Sequence, residues 1–248
     1  MTPTTLFFIL IAIIIIEFVI DTTLDVLNAK HYGDKLPEPL QDVYDTEEYL
    51  KSQAYKKERF KFSMVSSVFS LVLLLAFFFL DGFAFVDELA RQYTDHPILI
   101  ALIFFGIIML GSDILTTPFS YYSTFVIEEK YGFNKTTLKT FVLDKIKGWF
   151  MLIIVGGALL SLIIWFYQWA GSSFWLYAWA VIAVFSVVMN MFYAKLIVPL
   201  FNKQTPLEGG SLRQKIEAYA SKVGFKLDNI FVIDGSKRST KANAYFSG

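Results

Sequence analysis

The sequence predicts an all-α polytopic membrane bundle of five transmembrane helices, followed by the start of a small α+β soluble domain. Three observations carry that prediction. The chain has 248 residues, 55% of them hydrophobic and 18% aromatic, with a mean hydropathy of +0.52. Soluble domains hold roughly 45–50% apolar residues, so the excess needs lipid. The apolar residues gather in long runs with almost no charge, and the basic residues gather in alternate polar segments between them.

A helix needs about 20 mostly apolar residues to cross about 30 Å of hydrocarbon. Residues 2–20 meet this with Glu17 as the one charge, residues 62–80 with none, and residues 98–120 with Asp113 as the one charge. Residues 148–194 form a run of 47 without any charge, too long for a single crossing. The polar, turn-forming cluster inside it is 168–173, with Gly171, Ser172 and Ser173. The run therefore splits into spans 148–168 and 174–197 joined by a tight turn. Trp165, Trp169, Trp175, Tyr177 and Trp179 flank that turn, as an interfacial aromatic belt does. The first run lacks the basic segment and small-residue cleavage site of a signal peptide, so it reads as a retained span.

Basic residues set the orientation. Seven lie between the first two spans, five between the third and fourth, and nine from Lys195 onward, leaving Arg91 alone on the opposite side. The positive-inside rule places the N-terminus outside, in periplasm or lumen, and the C-terminal part in the cytoplasm. Zero formal net charge gives no long-range field for a nucleic-acid partner. The absence of cysteine excludes disulfides and thiolate chemistry. Only His31 and His96 are imidazoles, so these residues hold no His-rich metal site.

The polar segments have their own patterns. Residues 44–61 are charged and free of Pro and Gly, which predicts a helix leading into the second span. Residues 132–134 read as a turn and 136–146 as a short amphipathic helix, whose plainest role is a solvated connector. The membrane domain is expected over 1–198 and a soluble domain from 199 to 248. In the latter, Ser211 and Gln214 suggest a capping box, with Leu212, Ile216, Tyr219, Ala220 and Val223 on one apolar face and Gly224 at the C-terminal cap. Residues 230–233 and 242–246 read as two strands of a hairpin around the polar turn 234–240. One helix and one hairpin bury little surface, so this is expected to be the opening of an incomplete domain.

Ionisable groups at membrane depth usually face a bundle interior or a water-filled cavity. Glu17, Asp21 and Asp25 recur every four residues on one helical face; either all three line a cavity, or Glu17 alone is buried and the others lie beyond the membrane. Asp113 and Asn190 are expected to line a hydrated cavity, with Glu128 at its mouth.

Three segments resemble the type I CAAX prenyl proteases, the integral-membrane zinc endopeptidases of the M48 class. They are YDTEEYLKSQAYKKERFKFS at 44–63, TPFSYYSTFVIEEKYGFNKTTLKTFVLDKIKG at 117–148, and PLFNKQTPLEGGSLRQKIEAYASKVGF at 199–225 followed by IFVIDGSKRSTKANAYFSG at 230–248. The resemblance implies helices enclosing a chamber and a soluble domain carrying zinc at its edge. It also implies hydrolysis of peptide bonds near the C-terminus of prenylated or other membrane-associated proteins. The family's H-E-x-x-H ligands and later glutamate are not in this sequence. The chain alone is therefore expected to be a truncated or partial product, to bind no catalytic zinc and to cleave nothing, with the missing C-terminal catalytic segment as a partner. In such enzymes an extended substrate pairs with a strand near the metal. NAYF resembles that strand, which makes Asn243, Ala244 and Tyr245 the expected substrate-binding residues. The neighbouring Lys237, Arg238 and Lys241 read as a solvated turn.

Other readings fit less well. Adjacent Glu128 and Glu129 suggest a glutamate-type intramembrane protease, but Phe133 stands where its E-E-x-x-x-R pattern requires arginine. A membrane-protein quality-control protease would use the same zinc chemistry. A scaffold or transporter-like bundle would show internal repeats and broken spans, and Pro118 and Pro199 lie near span ends instead.

Overall fold

The computed structural model describes residues 2–245. The chain packs as two compact units, Met1–Gly132 and Phe133–Gly248. Among the described residues, five helices are long and apolar enough to cross a membrane.

The first unit contains α1 (Pro3–Ala29), α2 (Thr46–Phe79), α3 (Gly82–Arg91) and α4 (Pro97–Tyr122), the last continuing in π-helical turns over Ser123–Glu128. The Thr2 hydroxyl accepts from the Thr5 amide at 3.2 Å and Pro3 opens the first turn, so α1 starts where a capping residue precedes a proline. It runs beyond the expected 2–20 because nothing between residues 21 and 29 breaks a helix. At 27 residues α1 is about 40 Å long, more than the hydrocarbon thickness. The segment 44–61 and the second span form one 34-residue helix, capped by Asp45, whose carboxylate accepts from the Glu47 and Glu48 amides, both at 2.9 Å. The helix α3 has no counterpart in the sequence reading; it buries Val86 and Ala90. Aromatic contacts join the rods. The Phe7 ring meets Phe78 and Phe79 at 5.9 and 5.5 Å, and Phe62 stacks on Tyr122 at 4.8 Å.

The second unit contains α5 (Leu138–Met151), π-helical Leu152–Gly156, α6 (Gly157–Trp169), α7 (Phe174–Leu196), α8 (Val198–Phe201) and α9 (Ser211–Lys222), with strands β1 (Gln204–Pro206) and β2 (Phe231–Ile233). The expected connector helix 136–146 is not separate. It starts at Leu138, capped by the Thr137 hydroxyl on the Thr140 amide at 3.2 Å, and runs into the fourth span as one rod. The turn dividing the 47-residue run lies at Gly171–Ser173, where Gly171 takes φ +53°. The Phe166 and Tyr177 rings stack across it at 5.5 Å.

Two expectations for the tail are corrected. The N-cap of α9 is Gly210, and Ser211 caps nothing with its side chain, so there is no capping box. The predicted C-terminal glycine holds, with Gly224 at φ +70°. The strand at 231–233 pairs antiparallel with Gln204–Pro206, in the register Gln204 to Ile233 and Pro206 to Phe231, and not with 242–245. Residues 241–245 lie outside any strand, and Phe246 falls outside the described residues. The physical reason is nonlocal. The backbone at 238–240 is drawn onto 133–135 by hydrogen bonds from the Lys135 amide to the Arg238 carbonyl and from the Thr240 amide to the Phe133 carbonyl, both 3.0 Å. The chain therefore leaves β2 instead of folding back on it.

Large apolar side chains of the spans stay more than half exposed, among them Phe8, Ile16, Val65, Val72, Ile154 and Val184. Lipid tails, and not a protein core, solvate those faces. Replacing Gly171 with alanine forces a β-carbon into the left-handed region at a cost of about 1–2 kcal/mol. A matching drop in the thermal midpoint in detergent checks this.

Candidate functional site

The polar groups that break the apolar pattern gather in three places. The first is a cavity of about 350 Å³ between α1 and α2, lined by Glu17, Asp21, Thr22 and Asp25 on one side and Ser66, Ser67 and Ser70 on the other. Helical spacing explains it, because positions four apart on α1 and three to four apart on α2 each form one stripe. Glu17 thus stands with Asp21 and Asp25 on a single wall. Asp113, half-buried on α4, has its carbonyl oxygen bonded by the Thr117 hydroxyl at 2.7 Å. Asn190 is exposed on α7, in the other unit.

The second place joins the basic-side extension of α2 to the π-helical end of α4. The Tyr55 hydroxyl and the Arg59 guanidinium both donate to Glu128, the arginine at 3.3 Å. Glu58 accepts from the Lys130 ammonium at 2.7 Å and the Tyr131 hydroxyl at 2.8 Å. The hydrogen bond to Glu58 raises the Lys130 pKa above the ordinary lysine value. The linked stabilisation is thus complete below that ordinary value and is lost only as pH rises through the raised one. Acidic, basic and phenolic groups thereby bond side chains 69 to 73 residues apart in sequence.

The third place is the segment 237–241 of the second unit. The Arg238 guanidinium donates to both Asp144 oxygens, Nε to Oδ2 at 2.6 Å and Nη2 to Oδ1 at 2.8 Å. It also donates to the Phe201 carbonyl at 2.9 Å and to the Asn202 side-chain oxygen. Lys237 donates to the same Phe201 carbonyl at 2.7 Å, and the Lys241 ammonium sits 4.4 Å from the Phe133 ring centroid. The expectation of a solvated turn is therefore wrong: a planar, five-donor side chain holds this segment in a bidentate pair. A signal for it existed. Asp144 is the sole acidic residue between Glu129 and Glu208, among several lysines. Asn243, Ala244 and Tyr245 follow directly, exposed and outside any strand, with the Asn243 amide oxygen accepting from the Ala244 backbone at 2.9 Å.

Among the described residues no three His, Asp or Glu side chains gather to hold a metal. His31 pairs with Asp34 at 2.9 Å on the surface. The zinc implied by the resemblance does not fit these residues.

The N-terminal region of the CAAX prenyl proteases, a unit of five membrane helices, matches residues 25–203 of this chain. The chain belongs to that family. It is 37% identical to a CAAX prenyl protease 1 homolog of Arabidopsis thaliana over 247 residues, covering 96% of this chain and 58% of the relative. It is 38% identical to CAAX prenyl protease 1 of Saccharomyces cerevisiae over 224 residues, covering 86% of this chain and 49% of the relative. The crystal structure of S. mikatae Ste24p superposes with a TM-score of 0.91 at 36% identity, over all of this chain and 59% of that one. The chain thus spans about half the length of the relatives it matches. The family and its five membrane helices make it a multi-pass integral membrane protein.

Replacing Glu128 with leucine removes an acceptor that Tyr55 and Arg59 share, while Arg59 keeps its bond to the Tyr55 hydroxyl at 3.1 Å. The expected loss is about 1–2 kcal/mol, because charge-assisted bonds exceed neutral ones while the half-exposed arginine contributes little. A double-mutant cycle with Tyr55→Phe, read by unfolding in detergent, checks it.

Proposed function

We propose that this chain is the membrane and substrate-presenting portion of a zinc metalloendopeptidase. The enzyme would hydrolyse peptide bonds near the C-terminus of prenylated or other membrane-associated proteins. The family match over residues 25–203 and the names of the relatives carry this reading. Residues 1–198 form the membrane domain, and the segment from 199 opens the cytoplasmic metallopeptidase domain. Among the described residues no cluster of side chains would hold the zinc of this reading, and the chain spans about half the length of the relatives it matches.

Within this chain, Asn243, Ala244 and Tyr245 offer an exposed backbone edge to an extended peptide, with the Asn243 amide bonding a substrate carbonyl. Backbone pairing fixes the peptide with little demand on its side chains, which suits substrates that share a modified end and not a sequence. The cavity lined by Glu17, Asp21 and Asp25 gives the first unit a stripe of polar groups beside the apolar Ile14, Phe18 and Leu74, as ionisable groups near membrane depth face a bundle interior or a water-filled cavity. Asp113 and Glu128 add further polar groups to the first unit, and Asn190 adds one to the second.

The reading frame containing this chain and an H-E-x-x-H segment is expected to yield a zinc-dependent enzyme that cleaves a farnesylated C-terminal peptide. No cleavage, with zinc bound and the protein folded, overturns the assignment. In that enzyme Asn243→Ala is expected to lower kcat/KM by about tenfold to a hundredfold, the range for losing one well-placed hydrogen-bonding group. Steady-state kinetics on the same peptide read it.

Orientation has an independent test, because the chain contains no cysteine. Single cysteines at Thr94 and Ser221 are expected to label from opposite sides of sealed vesicles with a membrane-impermeant thiol reagent. Ser221 should label from the cytoplasmic face.

A further inference from the structure

We propose that Arg238 is a positioning residue: it fixes where the segment 243–245 stands relative to the cytoplasmic ends of the fourth and fifth spans, and so sets substrate register. This rests on the reading of 243–245 as the substrate edge. Three observations carry it beyond that reading.

First, the side chain makes four hydrogen bonds. Its Nε and both terminal nitrogens donate, to Asp144 on α5, to the Phe201 carbonyl ending α8 and to the Asn202 side chain. Lysine, with a single point of charge on a flexible stem, cannot hold three acceptors in one plane. Second, the backbone of the same residue is held separately. Its carbonyl accepts from the Lys135 amide at 3.0 Å and from the Thr136 hydroxyl at 3.1 Å, and its amide donates to Gly235 at 3.0 Å. Third, one anchor is part of a membrane rod and the others follow one closely in sequence. Asp144 lies on the helix that continues as the fourth span, while Phe201 and Asn202 follow the fifth.

Arg238 is therefore a fixed point from which the chain reaches Asn243 in five residues. The Thr240 amide bonded to Phe133 at 3.0 Å holds it part of the way. Only residues 241 and 242 separate that bond from the exposed edge. A surface turn needs none of this, and a turn that served stability alone would not need two independent attachments just before an exposed, strandless segment.

The test uses the full-length enzyme and a farnesylated peptide. Arg238→Gln and Asp144→Asn are each expected to raise KM about tenfold while leaving kcat within about twofold, because binding register is lost and the chemistry is not touched. Arg238→Lys is expected to recover little, since the fork is missing. The exchange Arg238→Asp with Asp144→Arg is expected to recover part of the loss. Unchanged KM in both single variants overturns the proposal.

A second measurement needs no activity. In the full-length protein, a spin label on Ala244→Cys is expected to gain mobility when Arg238→Gln is added, with the helical content unchanged. An unchanged spectrum overturns the proposal as well. If the full-length protein cleaves no prenylated peptide but the label does gain mobility, the substrate reading fails while the anchoring role of Arg238 stands.

Discussion

Hydrocarbon offers no hydrogen-bond partner, so each backbone amide and carbonyl at membrane depth must be satisfied within its own segment. That constraint shapes most of what is seen in this chain. It makes the apolar runs helical without asking for any tertiary core. It also makes them continue past the membrane wherever no residue stops them, as in the 34 residues of α2. Pro118 would leave a gap in α4, and the chain there is rich in hydroxyls: Thr116 and Thr117 donate to the Ser112 and Asp113 carbonyls at 2.9 and 2.7 Å.

Outside the hydrocarbon the logic changes. Polar side chains are free to choose partners far away in sequence, and the long-range bonds collect there. Arg238 reaches Asp144 across 94 residues, and Tyr131 reaches Glu58 across 73. Within each unit, then, apolar rods are located by aromatic contacts and local bonding, and their ends are located by a few charged groups.

This division explains what was legible in the sequence. The five spans and the turn at Gly171 could be read because a missing charge and a Gly-Ser cluster are local facts. The continuation of 44–61 into the second span could be read as well, because that segment holds no Pro or Gly, whereas the fusion of 136–146 with the fourth was hidden: no breaker marks where the connector ends and the span begins. The tail was misread for a different reason. Period-2 alternation in the NAYF segment is the same whether or not a partner strand arrives, and Gln204–Pro206, ending in a proline, carries no strand signal of its own. Which segment pairs with Phe231–Ile233 depends on where the Arg238 segment is held, and that depends on Asp144. A pattern read a few residues at a time does not contain that information. The stripe Glu17, Asp21 and Asp25 was visible as periodicity, but its serine counterpart on α2 was not, because Ser66, Ser67 and Ser70 gain meaning only from the facing helix.

The π-helical turns at Ser123–Glu128 carry a consequence for how such a chain tolerates change in length. Bonding from i to i+5 places about one more residue in a turn than the 3.6 of an α-helix. One residue corresponds to about 100° of rotation. The widened turn therefore acts as an angular offset between the lipid-facing pattern of α4 and the groups beyond it, Glu128 and Lys130 among them. Deleting one residue there would tighten the turn to an α-helix, leave every span intact, and keep the downstream face where it is. Adding or deleting a residue in the regular part of α4 has no such absorber, and would swing Glu128 away from Tyr55. Length variation in this span is therefore tolerable at one place on the rod, the one that already carries the surplus residue.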